Sequence, residues 1–388
     1  MAKALGLRDS SPSQVLSLRT VWILRLALGF TVLLGATIFF LGTSWDIQWH
    51  SFIGRDRTLI PPHIVMLSGV TLSGLAAMAA VLSETLWARR STTIAYKSTG
   101  FADAFHGSLG AYIAGFGALD AAIGFPLDSY WHALYGIDVA IWAPFHVMII
   151  VGMALVALGA IYMLMSATHL AAQVNARGAT RAGYIGVVVA FAVTLCVLTF
   201  LLFDAYGDMG TINLGFVVIN LFTGLAALLG TWTFVSAAYA LPWRWAATSV
   251  ALVSLLLVGI VFLYVPPATD LLLQLEQLSY RHPGLQHLVV VAIDWPAAFL
   301  LAAIISDSIL RRAKRRGWSP RKQILIVSAS TLIGFLPIPI ISPLYPLYLA
   351  GEIGIAGTIV TLFLGLLGAC VGSWLGRNTG ESLSSLER

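Results

Sequence analysis

Ten long apolar runs constrain the fold of this chain more than any other feature of its sequence. Each run is close to the roughly 20 residues that a helix needs to cross about 30 Å of hydrocarbon. Charged residues make up 10% of the chain, whereas soluble domains carry about 25%. The sequence therefore predicts an all-α, polytopic transmembrane helix bundle, with spans at residues 20–42, 62–87, 105–126, 143–166, 183–205, 211–239, 245–266, 285–310, 323–342 and 351–375.

Basic residues are concentrated in short loops at alternate ends of these spans. Arg89 and Arg90 follow the second span, and the block RRAKRR at 311–316 follows the eighth. By the positive-inside rule, we predict a multi-pass protein of the cytoplasmic membrane with both termini in the cytoplasm. This distribution accounts for the net charge of +5, so the charge does not indicate a surface for nucleic acid.

The loops that follow the first and third spans contain a repeat. Five residues recur 82 positions later and two recur 83 positions later: Asp46, Trp49, His50, Gly54, Asp56, Pro61 and His63 match Asp128, Trp131, His132, Gly136, Asp138, Pro144 and His146. The copies are two spans apart, so both face the same side of the membrane, which the charge rule makes the extracytoplasmic side. We therefore divide the chain into a cytoplasmic segment, a duplicated four-span unit, a six-span unit and a cytoplasmic tail, at 1–19, 20–170, 171–376 and 377–388.

The spacing of the repeated residues predicts two metal sites. Asp46 and His50 are four residues apart and share a face if the first helix continues through them, although this segment can instead lie along the interface. Pro61 suits the first turn of the next span, which places His63 beside them. Two imidazoles and a carboxylate suit a first-row transition metal. We predict one site from Asp46, His50 and His63, and a second from Asp128, His132 and His146.

Other polar residues are candidates for a supporting role. Asp56 and Asp138 can orient a ligating histidine, although Arg55 and Arg57 offer Asp56 another partner. Asp120 is either a support for the triads, a proton relay or a structural group. Near the outer ends of later spans, further groups either line the same cavity or form a third site: Asp204, Asp208, His282, His287 and Asp294. Glu84 and His169 lie near cytoplasmic ends, where we expect solvation to suffice.

The pattern D-x3-H-x12-H at Asp46, His50 and His63 resembles the copper-site motif of the C subunit of particulate methane and ammonia monooxygenases. A second triad with x3 and x13 spacing follows in that family, as Asp128, His132 and His146 do here. The resemblance covers roughly residues 20–170. The family has Asn where this chain has Asp128, and the six later spans match nothing in it.

This resemblance implies copper near the outer face and a role in O2-dependent hydroxylation of a small apolar substrate. It also implies further subunits as partners, because the family's C subunit works with two others. Two alternatives remain open: a metal carrier or importer, and a b-type haem electron-transfer protein with His63 and His146 as axial ligands. A purely structural subunit would leave the repeated triads without a role.

Overall fold

The chain folds into a bundle of α-helices, as its apolar runs predict. The computed structural model describes residues 12–54, 59–136, 140–206, 208–281, 294–335 and 354–387. The helices are α1 (Pro12–Phe52), α2 (Pro61–Ala88), α3 (Thr92–Tyr96), α4 (Leu109–Tyr135), α5 (Pro144–Gln173), α6 (Arg177–Thr199), α7 (Leu202–Tyr206), α8 (Phe222–Ala240), α9 (Ala246–Glu276), α10 (Asp294–Arg315), α11 (Pro320–Phe335) and α12 (Gly354–Ser385). Two antiparallel hairpins pair β1 (Thr99–Phe101) with β2 (Phe105–Gly107) and β3 (Thr211–Asn213) with β4 (Val218–Asn220).

Eight of the described helices are long and apolar enough to cross a membrane. They correspond to eight of the ten predicted spans. Helices α10 and α11 occupy the other two predicted runs. The described part of α11 has 16 residues, and α10 ends in a basic turn with Arg312, Lys314 and Arg315.

The span boundaries differ from the predicted ones at the hairpins. Residues 105–107 form β2 instead of the start of the third span, and residues 211–220 form β3, β4 and their turn instead of the start of the sixth. Both segments are apolar enough to extend the adjacent run, and hydropathy alone does not distinguish a short strand from a helix end.

Helix α1 is longer than a membrane crossing requires. Its apolar part, Leu18–Phe52, has 35 residues, which is about 52 Å of helix, compared with about 30 Å of hydrocarbon. The additional turns contain Asp46 and His50. Of the two expectations for this segment, the structure therefore supports continuation of the first helix.

Helices α1, α2, α4 and α5 form the duplicated unit. Helix α1 packs against α2 and α5, and α4 packs against α5 and α2. The later helices pack onto this unit, since α6 contacts α5 and α9 contacts α1, while α12 lies along α8. The two predicted units are therefore in direct contact.

Each helix pair of the duplicated unit is held close by two facing glycines. A Cβ atom on Gly35 of α1 would lie 2.6 Å from the Gly69 carbonyl oxygen of α2. A Cβ on Gly117 of α4 would lie 2.5 Å from the Gly152 carbonyl oxygen of α5. Gly117 follows Gly35 by 82 residues and Gly152 follows Gly69 by 83, which are the offsets of the polar repeat. The duplication thus includes the helix contacts, where small residues let backbones approach.

Candidate metal centre

The first triad, Asp46, His50 and His63, is assembled where α1 ends and α2 begins. Asp46 and His50 are one turn apart on α1, and Pro61 starts α2 two residues before His63. The Asp46 Oδ1 atom lies 3.4 Å from His50 Nε2 and 3.0 Å from His63 Nε2. The three predicted residues therefore do converge.

The second triad, Asp128, His132 and His146, repeats this arrangement on α4 and α5. The Asp128 carboxylate oxygens lie 3.3 Å from His132 Nε2 and 3.2 Å from His146 Nε2. Pro144 starts α5 two residues before His146. The imidazole centroids are 5.7 Å apart, compared with 5.8 Å in the first triad. The two copies thus share their internal geometry as well as their spacing.

These distances fit a shared metal ion. Two ligand atoms about 2.0–2.2 Å from one ion, at angles of about 90–110°, are about 2.9–3.5 Å apart. In each triad, one ligand atom per residue can be chosen so that all three lie within 4.8 Å of one another. Nε2 and carboxylate oxygen atoms are common ligands of first-row metals. The carboxylate–imidazole distances therefore fit such an ion, and the three residues of each triad are close enough to share one.

The shielded carboxylate oxygens face imidazole nitrogens. Oδ1 of Asp46 and Oδ1 of Asp128 are shielded from solvent, and they lie 3.0 Å and 3.2 Å from Nε2 of His63 and His146. Such an oxygen needs a proton or a cation between it and the nitrogen, because an unsatisfied buried acceptor costs about 1–3 kcal/mol, and more when it is charged. The same atom is affected in both copies, and in each it is the oxygen nearest the histidine of the second helix.

Two backbone carbonyls orient the histidines of the second triad. His132 Nδ1 donates to the Gly136 carbonyl oxygen at 3.1 Å, and His146 Nδ1 donates to the Ala140 carbonyl oxygen at 2.7 Å. Since a carbonyl oxygen only accepts, each Nδ1 carries its proton, and each Nε2 is directed at Asp128. Histidine ligands in metal sites are usually held this way. A proton or a metal ion between Nε2 and the carboxylate satisfies both groups.

Gly54 and Gly136, a matched pair of the repeat, end the helices that carry the first two ligands of each triad. Gly54 has a φ of +66° and Gly136 a φ of +88°, a region that glycine enters without steric cost. In the second copy this turn brings the Gly136 carbonyl back to His132. In the first copy the Arg281 guanidinium donates to the Gly54 carbonyl oxygen at 2.7 Å.

Both triads open into one cavity of about 570 Å³, here called the shared cavity. All six triad residues line it, together with apolar side chains from each helix pair, among them Phe39, Met66, Leu67, Phe125, Ile141, Ile149 and Ile150. Its size lies within the usual range for small-molecule sites, about 300–1,000 Å³. The arrangement therefore places two triads of metal-ligand type on the wall of one largely apolar space.

The other polar residues that the sequence suggested as candidates do not share one location in the structure. Asp56, Asp138, His282 and His287 lie outside the described residues, as do the side chains of Asp208 and Asp294. Asp120 is partly buried on α4, eight residues before Asp128, and does not line the shared cavity. Asp204 binds the turn before α5, with its Oδ2 atom 2.6 Å from the Trp142 backbone nitrogen.

The expectation that solvation suffices for Glu84 is wrong. Arg25 and Glu84 are fully buried and form two parallel hydrogen bonds, Nε to Oε1 at 2.8 Å and Nη2 to Oε2 at 2.7 Å. Arg25 also contacts the Glu387 carboxylate at 2.6 Å. The i, i+59 separation of the first pair has no helical periodicity, so only the packing of α1 against α2 brings the two groups together. Buried charges of this kind need partners.

Comparison with protein-family models, with curated proteins and with solved structures gives no match for this chain. The structure itself supports a membrane-spanning helical protein with two groups of residues that can hold a metal ion.

Proposed function

We propose that this chain binds copper at the first and second triads and serves in O2-dependent hydroxylation of a small apolar substrate. The shared cavity carries the proposal, because it brings both triads to one apolar space. The Asp/His spacing and its resemblance to the C subunit of copper membrane monooxygenases support copper as the metal. The apolar lining and the size of the cavity support a small apolar substrate.

In this proposal, the chain's own residues perform three tasks. The six ligand residues hold the ions, and copper when bound supplies the redox chemistry that O2 requires. The walls around Phe39, Phe125 and Ile149 exclude water and bind an apolar molecule by burial, worth about 25 cal/mol per Å² of apolar surface. The carbonyls of Gly136 and Ala140 keep two imidazoles oriented before any ion arrives.

The proposed setting is the cytoplasmic membrane, with the triads near its extracytoplasmic face. The basic loops support this orientation through the positive-inside rule. The proposal includes further subunits as partners, on the resemblance to a family in which the C subunit has two. Co-purification from native membranes tests that part separately.

Metal analysis of the purified full-length chain tests the proposal. After reconstitution with copper and removal of loose ions, we expect about two equivalents per chain by mass spectrometry. His50→Ala and His132→Ala should each remove one, and the double variant both. His106→Ala, on the β2 strand and outside both triads, is the matched control. A wild-type chain that retains no copper would overturn the proposal.

Two further outcomes would reassign the function. An absorption spectrum with a Soret band, lost in His63→Ala and His146→Ala, would indicate haem. Copper uptake by proteoliposomes that contain the chain would indicate a carrier or importer.

A further inference from the structure

The turn before α5 determines the orientation of His146. Ala143 donates its backbone N–H to the Ala140 carbonyl oxygen at 3.1 Å, which closes a turn over residues 140–143. The same carbonyl oxygen accepts from His146 Nδ1 at 2.7 Å. The direction in which His146 presents Nε2 therefore depends on where this short turn is held.

Helix α7 and the residue before it hold the turn in place. The Asp204 carboxylate accepts the Trp142 backbone N–H at 2.6 Å, and the Trp142 indole Nε1 donates to the Leu201 carbonyl oxygen at 2.9 Å. A hydrogen bond to an ionised acceptor is short and roughly twice as strong as a neutral one. Two contacts on one residue thus anchor the middle of the turn to the second half of the chain.

We propose that Asp204 is a positioning residue of the second triad: by fixing the turn at Trp142, it keeps the Ala140 carbonyl against His146 and so directs His146 Nε2 at Asp128. This proposal deepens the proposed metal function and rests on it for its effect on affinity. Asp204 would touch neither the ion nor the substrate. The Ala140 carbonyl is the direct outer partner of His146, and loss of such a direct partner typically lowers metal affinity about 10- to 100-fold.

The first triad has a different support. There the backbone N–H of Arg281 donates to the Phe52 carbonyl oxygen at 2.9 Å, and its guanidinium donates to the Gly54 carbonyl oxygen at 2.7 Å. A cation thus anchors the end of α1, whereas an anion anchors the turn before α5. A change at Asp204 should therefore affect the second triad and spare the first.

The affinity test uses Asp204→Asn in the full-length chain. His50→Ala is included as a background so that the second triad holds the remaining ion. Chelator competition should show affinity lowered, at most by the about 10- to 100-fold that is typical for loss of a direct outer partner, because Asn weakens the bond to the Trp142 N–H without removing the acceptor oxygen. Asp204→Glu, which restores the charge, should recover part of the loss. In the otherwise unchanged chain, the first triad should keep its affinity. Equal affinity with and without Asp204→Asn would overturn the inference.

Asp307→Asn is the matched control. Asp307 is a buried carboxylate that accepts backbone N–H groups of Ala247 and Thr248 at the start of α9, so its loss reports general destabilisation. It should leave both metal affinities unchanged. A decrease as large as that of Asp204→Asn would reduce Asp204 to a structural role and overturn the inference.

A readout without metal separates this inference from the proposed function. Proton and nitrogen-15 spectra of histidine-labelled, metal-free protein, assigned with His146→Gln, report whether the Nδ1–H of His146 is held in a hydrogen bond. We expect a slowly exchanging Nδ1–H signal in the wild type and fast exchange of this proton in Asp204→Asn. An unchanged Nδ1–H signal would overturn the inference, whereas a wild-type chain without metal would overturn only the proposed function.

Discussion

The carboxylates of Asp46 and Asp128, 82 residues apart in the chain, face one cavity from two different helix pairs. The histidines beside Asp46 lie on α1 and α2, and the histidines beside Asp128 lie on α4 and α5. No residue of one triad comes from the helix pair of the other. Each triad therefore serves as an internal control for substitutions in its counterpart.

Substitutions at Asp128 test whether the carboxylate charge is needed for binding. Under the proposed function, Asp128→Ala removes a ligand atom and should release the ion of the second triad, which would halve the bound copper. Asp128→Asn keeps a ligand oxygen without the charge and should retain the ion with lower affinity, most clearly for divalent copper. Isothermal titration of each variant with copper checks the order wild type, Asn, Ala. Equal affinity of wild type and Asp128→Ala would contradict the assignment of Asp128 as a ligand.

The buried Arg25–Glu84 pair should be essential for stability. Arg25→Met leaves the Glu84 and Glu387 carboxylates without their common cation. Removal of one partner of a buried pair costs about 3–5 kcal/mol. Denaturant or thermal unfolding in detergent should show this loss, and Arg25→Met with Glu84→Gln should recover part of it because one buried charge is then removed.

The control for this prediction is Arg377→Gln. Arg377 pairs with Glu381 at 2.7 Å one turn later on α12, and the Glu381 side chain is 48% exposed. Such an i, i+4 pair contributes about 0.3–0.5 kcal/mol. If Arg25→Met unfolded no more easily than Arg377→Gln, the role assigned to the buried pair would be wrong.

A methyl group at Gly117 should separate α4 from α5. The added Cβ would lie 2.5 Å from the Gly152 carbonyl oxygen, and overpacking of this kind costs about 1–3 kcal/mol. Since the two helices carry different residues of the second triad, Gly117→Ala should, under the proposed function, also lower copper at that triad. Thermal unfolding and metal analysis check both effects. Gly259→Ala on α9, where no atom lies within 4 Å of the added methyl, should show neither.

A large side chain at Ala122 should fill the shared cavity and spare the metal. Ala122 lines the cavity and belongs to neither triad. Ala122→Phe should therefore retain two equivalents of copper and lose most O2-dependent oxidation of a small alkane or alkene. Metal analysis and product detection on the same sample separate the two effects. Ala356→Phe, at an exposed position of α12, is the control, and equal activity of the two variants would contradict a substrate role for the cavity.

The fold class and the convergence of each triad could be predicted from the sequence for a local physical reason. Hydrophobic thickness determines how long an apolar run must be, so the spans are visible without tertiary information. Asp46 and His50 are within one helical turn, and Pro61 marks the next helix start close to His63. Both signals involve short separations along the chain, and their recurrence 82 residues later distinguishes them from chance.

Contacts between segments that are distant in the chain could be identified only from the tertiary structure. Gly35 and Gly117 match in the repeat, but the chain has 36 glycines, so one more match carries little weight until their helix contacts are seen. Arg25 contacts Glu84, and Asp204 contacts the turn before α5, across separations in the chain that follow no helical or strand periodicity. The shared cavity likewise exists only where the two helix pairs pack together. Its walls are side chains from distant parts of the chain, and their packing follows from no local sequence pattern.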